Sequence, residues 1–314
     1  MINYLLKRLL ALIPILIIVA IFIFFIIRVL PGDPAAMMLG PEATAEDVEF
    51  LSKQMGLDRP IPIQFIEWIS NIVKGDFGNS IFFNGQPVTK VIFEHFGPTL
   101  TITLISITLS TLFGIIAGVV AAINHNNIFD RFMMVIATGG AAIPTFWLGL
   151  MVVYYFSINL GLLPPTGYKP LSEGLLMSGR YMVLPVLTLV FGSFSLKARM
   201  TRSNMLEVLG SDYIRTAKAK GLSELLVNYK HALRNVFITL STIIGIGIAR
   251  SLGGSVIIET IFNIPGIGRL LVSSVFSRDY PVIQGIVIFY TIILVSVNLI
   301  TDIVYVLIDP RIKY

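Results

Sequence analysis

Six apolar runs dominate this chain, and a run of that kind leaves few folds open. A helix that crosses the hydrocarbon core of a bilayer needs about 20 apolar residues. Leu9–Ile27, Leu100–Ile123, Phe132–Ile158, Tyr181–Leu196, Val236–Ile258 and Val282–Ile308 reach or approach that length. The expected fold class is all-α and polytopic, with six transmembrane helices. Composition agrees: 55% of the 314 residues are hydrophobic and 13% charged, about half the charge of a soluble domain. The fourth run is short and carries Pro185, so its helix is expected to continue past Lys197. Pro144 should kink the third span, because proline removes a backbone donor. Gly114 and Gly118 form a small-xxx-small pattern that lets helix backbones approach closely.

Basic residues orient these spans. Lys7 and Arg8 precede the first, Arg131 follows the second, eight basic residues lie in Lys197–Arg234, and Arg311 and Lys313 follow the sixth. Cytoplasmic loops carry such an excess, so six spans put all four clusters inside, with both termini cytoplasmic. The net charge of +5 then reflects asymmetry across the membrane rather than nucleic-acid binding. The first run exceeds the 7–15 residues of a signal core and ends in Pro31-Gly32-Asp33-Pro34, so it is expected to remain a span.

The chain is expected to divide into residues 1–30 (first span), 31–97 (an extracytoplasmic helical segment) and 98–314 (the core). In the outer segment Thr44 can cap a helix that Gly56 closes, with Val48, Leu51 and Met55 as its stripe. A second helix should start at Pro62 and end before Gly75. A third, Val88 to Phe96, should run into the second span. The Gly- and Pro-rich stretch Asn159–Arg180 reads as a surface loop. Within Glu259–Tyr280, helix-breaking Asn263, Pro265, Gly266 and Gly268 suggest an inward-dipping turn, which is tolerated at membrane depth only beside protein or a water-filled cavity.

Catalytic signatures are missing. There is no phosphate-binding loop of the G-x-x-x-x-G-K-[ST] kind, no G-x-S-x-G and no H-E-x-x-H. The absence of cysteine removes thiolate chemistry, and His95, His125 and His231 lie far apart, which argues against a metal site. Arg250, about 14 residues and roughly 21 Å into the fifth span, either faces a pathway and meets a substrate carboxylate or snorkels. Asp302 suits an interhelical network with Asn298.

The one long polar segment among the spans is Lys197–Arg234. Ser211 can cap a helix over Asp212–Lys220, closed by Gly221, with Asp212 at its positive end and Lys218 and Lys220 at its negative end. Ser223 can cap a second helix running through Leu233. Two helices bent at a glycine make a compact knob, and the small Thr216, Ala217 and Ala219 would admit a close partner.

The run DYIRTAKAKG followed by KHALRN resembles the coupling loop of ABC importer permeases, specifically the dipeptide/oligopeptide family that also serves nickel chelates and glutathione. LPGDP, MGLDRPIPIQF, GDFGNS, PGIGRLL, SRDYPVIQG and a C-terminal DPRI extend the resemblance over nearly the whole chain. Where the general pattern has glutamate, this chain has Arg215. The resemblance implies a six-span type I importer permease in a bacterial plasma membrane, non-catalytic and without a cofactor of its own. It implies three kinds of partner: a second homologous permease, two cytoplasmic ATPases that bind ATP and Mg, and an extracytoplasmic binding protein. Asp212, Arg215, Thr216, Ala217, Lys218, Lys220 and Gly221 would form the ATPase-coupling site. Arg250, Glu259, Asn263, Pro265, Gly266, Arg269, Arg278 and Asp279 would belong to the pathway and outer loop. The substrate would be a short peptide or glutathione, with a metal chelate as the alternative; a stand-alone secondary transporter should show inverted repeats and midspan acids, and neither is seen.

Overall fold

The computed structural model describes residues 2–29, 34–40, 43–54 and 56–308, and they are helical almost throughout. In chain order the elements are α1 (Ile2–Val29), α2 (Pro34–Leu39), α3 (Ala45–Gln54), α4 (Ile61–Val73), α5 (Val88–Ile123), α6 (Ile128–Ala142) and α7 (Thr145–Val152). They continue as α8 (Leu175–Leu209), α9 (Asp212–Ala219), α10 (Leu233–Ile261), α11 (Ile267–Ser277) and α12 (Tyr280–Ile308). Among the described residues three helices, within α5, α8 and α12, are long and apolar enough to cross a membrane, and four if the bent pair Ile128–Ala142 and Thr145–Asn159 is counted as one span.

Contacts sort the chain into two compact units, one of residues 1–97 and 269–296, the other of residues 98–268 and 297–314. In the first, Ala20 and Ile23 of α1 pack with Trp68, Ile69 and Ile72 of α4 and with Tyr280, Ile283 and Ile288 of α12. Phe24 meets Phe65 and Trp68 at ring-centroid distances of 5.1 and 5.4 Å. Gly285 admits α5, since a Cβ there would fall 2.5 Å from Val88 Cγ1.

In the second unit α8 is the central element, packed against α6, α7 and α10. Gly114 and Gly118 of α5 lie directly on it: added Cβ atoms would sit 2.7 Å from Lys197 Cβ and 2.5 Å from Thr201 Cβ. Gly140 of α6 makes the same approach, 2.5 Å from Ser195 Oγ. The helix pairing expected of Gly114 and Gly118 is therefore a contact between α5 and α8.

Several helix ends follow the sequence. Thr44 Oγ1 accepts from Asp47 N while Asp47 Oδ2 accepts from Thr44 N, both at 3.2 Å, a reciprocal cap. These Thr44 bonds hold the Asp47 carboxyl below its ordinary range. Gly56 and Gly75 end α3 and α4 at φ +67° and +82°. The Val88 helix runs without a break into the second span, and α8 continues past Lys197 with Pro185 inside it. Residues 30–33 of LPGDP, Met55, the Leu51 side chain and residues 309–312 of DPRI lie outside the described residues.

Three expectations need correction. The third span is not one kinked helix: α6 and α7 meet at 102°. Pro144 disfavours the α conformation in the residue before it, and Ile143 is extended at φ −83°, ψ 123°. The Asn159–Arg180 stretch is not wholly a surface loop. Its last residues already belong to α8, and Gly167 N donates to Phe262 O at 2.7 Å. The second helix after Ser223 does not stop at Leu233, because a π-helical segment over Leu226–Ala232 leads directly into α10.

The α5–α8 contact is testable. Overpacking a tight site costs about 1–3 kcal/mol, so Gly118→Val should lower the thermal midpoint of the detergent-purified protein by several degrees. Gly139→Ala, with open space at its Cβ, should leave it unchanged.

Candidate functional site

The helix α9 carries most of the residues expected to couple to an ATPase. Ser211 starts it in an extended conformation, φ −74° and ψ 153°. Its hydroxyl does not cap, however, but donates back to Val208 O. Gly221 closes it at φ +78°. Gly221 N bonds Lys218 O at 3.0 Å and Leu222 N bonds Ala217 O at 3.4 Å, the paired bonds of a Schellman end. Asp212, Arg215, Thr216, Lys218, Ala219 and Lys220 are exposed, with Arg215 Nη1 3.3 Å from Asp212 Oδ1.

Ala217 is placed differently from the rest. It joins Ile214 in a buried cluster with Val119, Ala122, Met205, Val227, Val236 and Leu240, so its small size admits its own chain's core. The helix is thereby seated on α5, α8 and α10, and any push on its outer face is carried into them. Asn235 Nδ2 donates to Tyr213 Oη, a second tie to α10.

A buried ion pair stands nearby in sequence. Arg202 of α8 donates from Nε to Asp130 Oδ1 at 2.5 Å and from Nη2 to Asp130 Oδ2 at 2.7 Å. Asn126 N adds a bond to Oδ2 at 3.0 Å. The bidentate fork locks the α5–α6 turn onto α8. From sequence alone Arg202 is one more basic residue of the polar segment.

The expected outer-loop residues fall in both units. Glu259, Asn263, Pro265 and Gly266 belong to the second unit, Arg269, Arg278 and Asp279 to the first. Glu259 is buried, 1% exposed, and its Oε1 accepts from Thr99 Oγ1 at 2.8 Å. Thr99 Oγ1 in turn accepts from Ile267 N at 2.9 Å. A Cβ on Gly266 would lie 2.4 Å from the Glu259 carboxyl carbon, and one on Gly268 2.9 Å from its Oε2. The carboxylate takes the room a side chain on Gly266 would need, Val256 and the carboxylate together that on Gly268, and Glu259 fastens the turn.

Asn263 and Arg278 occupy left-handed conformations, φ 54° and 55°. Each ends a helix with the Schellman bonds: Ile264 N to Glu259 O at 2.8 Å, and Asp279 N to Ser274 O at 2.9 Å. Asp279 is fully buried. Its Oδ2 accepts from Ser80 Oγ and, at 3.0 Å, from Phe82 N, pinning the turn after GDFGNS. Pro265 is exposed and Arg269 half-buried. The Arg250 side chain lies outside the described residues.

The residue that sequence reasoning misplaced is Lys197. Read as the first charge of the cytoplasmic segment, it is 2% exposed. Its Nζ donates to Ser110 Oγ at 2.6 Å and to Ile107 O at 3.4 Å. It lines a cavity of about 190 Å³ together with Thr145, Gly192, Ser193, Gly247, Ser251 and Gly254. The spacing Lys197, Thr201, Met205 at every fourth position was the available signal, because all three share one buried face of α8.

These features describe an all-helical membrane protein whose polar elements fasten helices and which presents a seated surface helix. Its helices superpose on those of ABC importer permeases: the MetNI methionine ABC transporter in inward-facing form aligns at a TM-score of 0.58 over 70% of this chain and 97% of that one, with 16% identity. An amino acid ABC transporter solved with histidines aligns at 0.53 over 69% and 94%, with 15% identity.

Residues 114–314 match the family described as binding-protein-dependent transport system inner membrane component, and residues 1–103 match its N-terminal companion. The chain belongs to this family: it is a non-catalytic inner-membrane permease of an ABC importer. Permeases of this kind work with ATPase subunits, which bind the ATP, and with a binding protein. It is 44% identical, over the full length of both chains, to the glutathione transport system permease protein GsiC of Escherichia coli strain K12. The protein of the same name from Salmonella typhimurium strain LT2 shows the same identity and coverage.

The ion pair gives a test of how α6 is held. Removing one partner of a buried pair strands the other charge and costs about 3–5 kcal/mol; Arg202 is partly exposed, so the lower end applies. Arg202→Ala should therefore melt well below the Asp130→Ala/Arg202→Ala double variant, as read by thermal unfolding in detergent.

Proposed function

We propose that this chain is one of two homologous permease halves of an importer for short peptides, glutathione among them. It would work with two ATPases and an extracytoplasmic binding protein. The observation that carries this reading is the 44% identity to glutathione permeases, unbroken over the full length of both chains. The helices α1, α5, α6–α7, α8, α10 and α12 supply the six spans, with both termini and α9 in the cytoplasm. The basic residues before the first span, in the first turn of α6 and beyond α8 support that orientation. Residues 1–30, 31–97 and 98–314 are the corresponding domains.

The exposed face of α9, Asp212, Arg215, Thr216, Lys218 and Lys220, with Gly221 setting its end, is the ATPase contact. Its charges give a polar interface, and its buried Ile214 and Ala217 make it a rigid one. ATP-driven closure of the ATPases pushes α9, and the shared core passes that displacement to α5, α8 and α10. In the outer loop Pro265, Arg269 and Arg278 stand as contacts for the binding protein, and Asn263, Gly266, Glu259 and Asp279 hold that loop in shape. Arg250 stands as a pathway cation.

Two measurements test this. Arg215→Glu should abolish ATP-dependent uptake of glutathione by the reconstituted importer while leaving permease abundance unchanged, whereas Ala217→Trp should reduce abundance itself. Uptake by Arg215→Glu at the unsubstituted rate would remove α9 as the contact. The chain has no cysteine, so Ala219→Cys offers a unique thiol. A membrane-impermeant maleimide should label it in inside-out vesicles and not in intact cells; the reverse pattern would overturn the topology.

A further inference from the structure

Burying an ammonium without a counter-charge is costly, by several kcal/mol after relaxation, and charged groups inside membranes are most often functional. Lys197 presents that situation. It sits on the buried face of α8 against Ile107 and Ser110 of the apolar α5, is 2% exposed, and has no carboxylate partner among the described residues. Its hydrogen bonds go to one hydroxyl and one carbonyl, leaving one of its three donors for the cavity. Neither bond neutralises a full charge.

The surroundings are built for an incoming group. Glycine and hydroxyl residues from three helices share its lining with the apolar Leu189, Leu196 and Ile243: Thr145 from α7, Gly192 and Ser193 from α8, Gly247, Ser251 and Gly254 from α10. At Gly247 an added Cβ would stand 3.5 Å from Lys197 Cε and 3.8 Å from Nζ, so the absent side chain keeps the ammonium end uncovered. Hydroxyls can donate to an anion, and a cation among them complements a carboxylate. A volume of about 190 Å³ falls below the 300–1,000 Å³ of pockets that enclose a drug-sized ligand. One end of a peptide fits, and a whole one does not.

We propose that Lys197 is the carboxylate-recognition point of the translocation cavity, its ammonium binding a substrate carboxylate as the solute passes between α7, α8 and α10. This rests on the peptide-importer reading and adds to it the residue and the ligand group. Ser110 and Ile107 hold the ammonium in place between substrates, and the arriving carboxylate supplies the missing negative charge. Lysine suits a transient site, because a single mobile ammonium releases more readily than a bidentate guanidinium.

The test uses the importer reconstituted with its permease partner, both ATPases and binding protein, and radiolabelled reduced glutathione and trialanine as probes. A charge-assisted hydrogen bond is worth about 1.5–3 kcal/mol, so Lys197→Met should lower uptake of at least one probe by about 10- to 100-fold. Basal ATP hydrolysis and complex assembly should stay near the unsubstituted level, and Lys197→Arg, which keeps the charge but releases a carboxylate less readily, should fall between Lys197→Met and the unsubstituted importer. As a second variant, Lys197→Cys should regain uptake after reaction with aminoethyl methanethiosulfonate, which restores an ammonium, and not after the neutral methyl reagent. Unchanged uptake by Lys197→Met overturns the proposal. So does loss of assembly in Lys197→Met and Lys197→Arg alike, which would make the lysine a tether only. If the unsubstituted importer moves neither probe with ATP, the peptide reading itself falls and this inference falls with it.

Discussion

The close approach of α5 to α8 through Gly114 and Gly118 is the constraint on which the second unit depends. Hydrocarbon gives helices no hydrophobic reason to associate, so packing and interhelical hydrogen bonds must do it. With Cβ atoms of Lys197 and Thr201 occupying the space where side chains on Gly114 and Gly118 would be, the two backbones meet. That proximity lets Lys197 reach Ser110, one turn before Gly114, and sink beneath the surface. Any bulk at these glycines would push α8 away and leave its lysine without either tether.

Polar groups elsewhere follow the same logic of fastening. Asp130 and Arg202 hold the α5–α6 turn on α8, Glu259 and Thr99 hold the start of α11 near the end of α10, and Asp279 holds the turn at Ser80 and Phe82. In each case a buried carboxylate accepts donors from a residue distant in sequence. A helix break frees backbone groups that need partners, and these carboxylates sit beside such breaks. Around them α9 stays at the surface, anchored by Ile214 and Ala217 and free on its charged face. Its buried residues share a core with α8 and α10, two of the helices that line the Lys197 cavity.

Much of the helix plan was legible locally. The Thr44 cap, the glycine ends at Gly56, Gly75 and Gly221, and the continuation of α8 past Lys197 each depend on a few neighbouring residues and the backbone conformations they allow. Pro144 announced a disturbance, but its size, a 102° turn, depends on what α7 packs against. Ala217 illustrates the limit in another way: small residues on a charged helix suit an external partner and an internal core equally, and only the cluster with Val119 and Val227 chose between them. Asn263 reads as a helix breaker and Arg278 as an outer-loop contact, and in the structure each ends a helix in a left-handed conformation.

The sequence alone determined the class, because long apolar runs, their basic flanks and the DYIRTAKAKG segment are properties of the chain in order, independent of distant contacts. Only tertiary structure decided where the charges go. Lys197, Glu259 and Asp279 look like any other charged residues until helices remote in sequence close over them, since burial depends on neighbours that local spacing does not name.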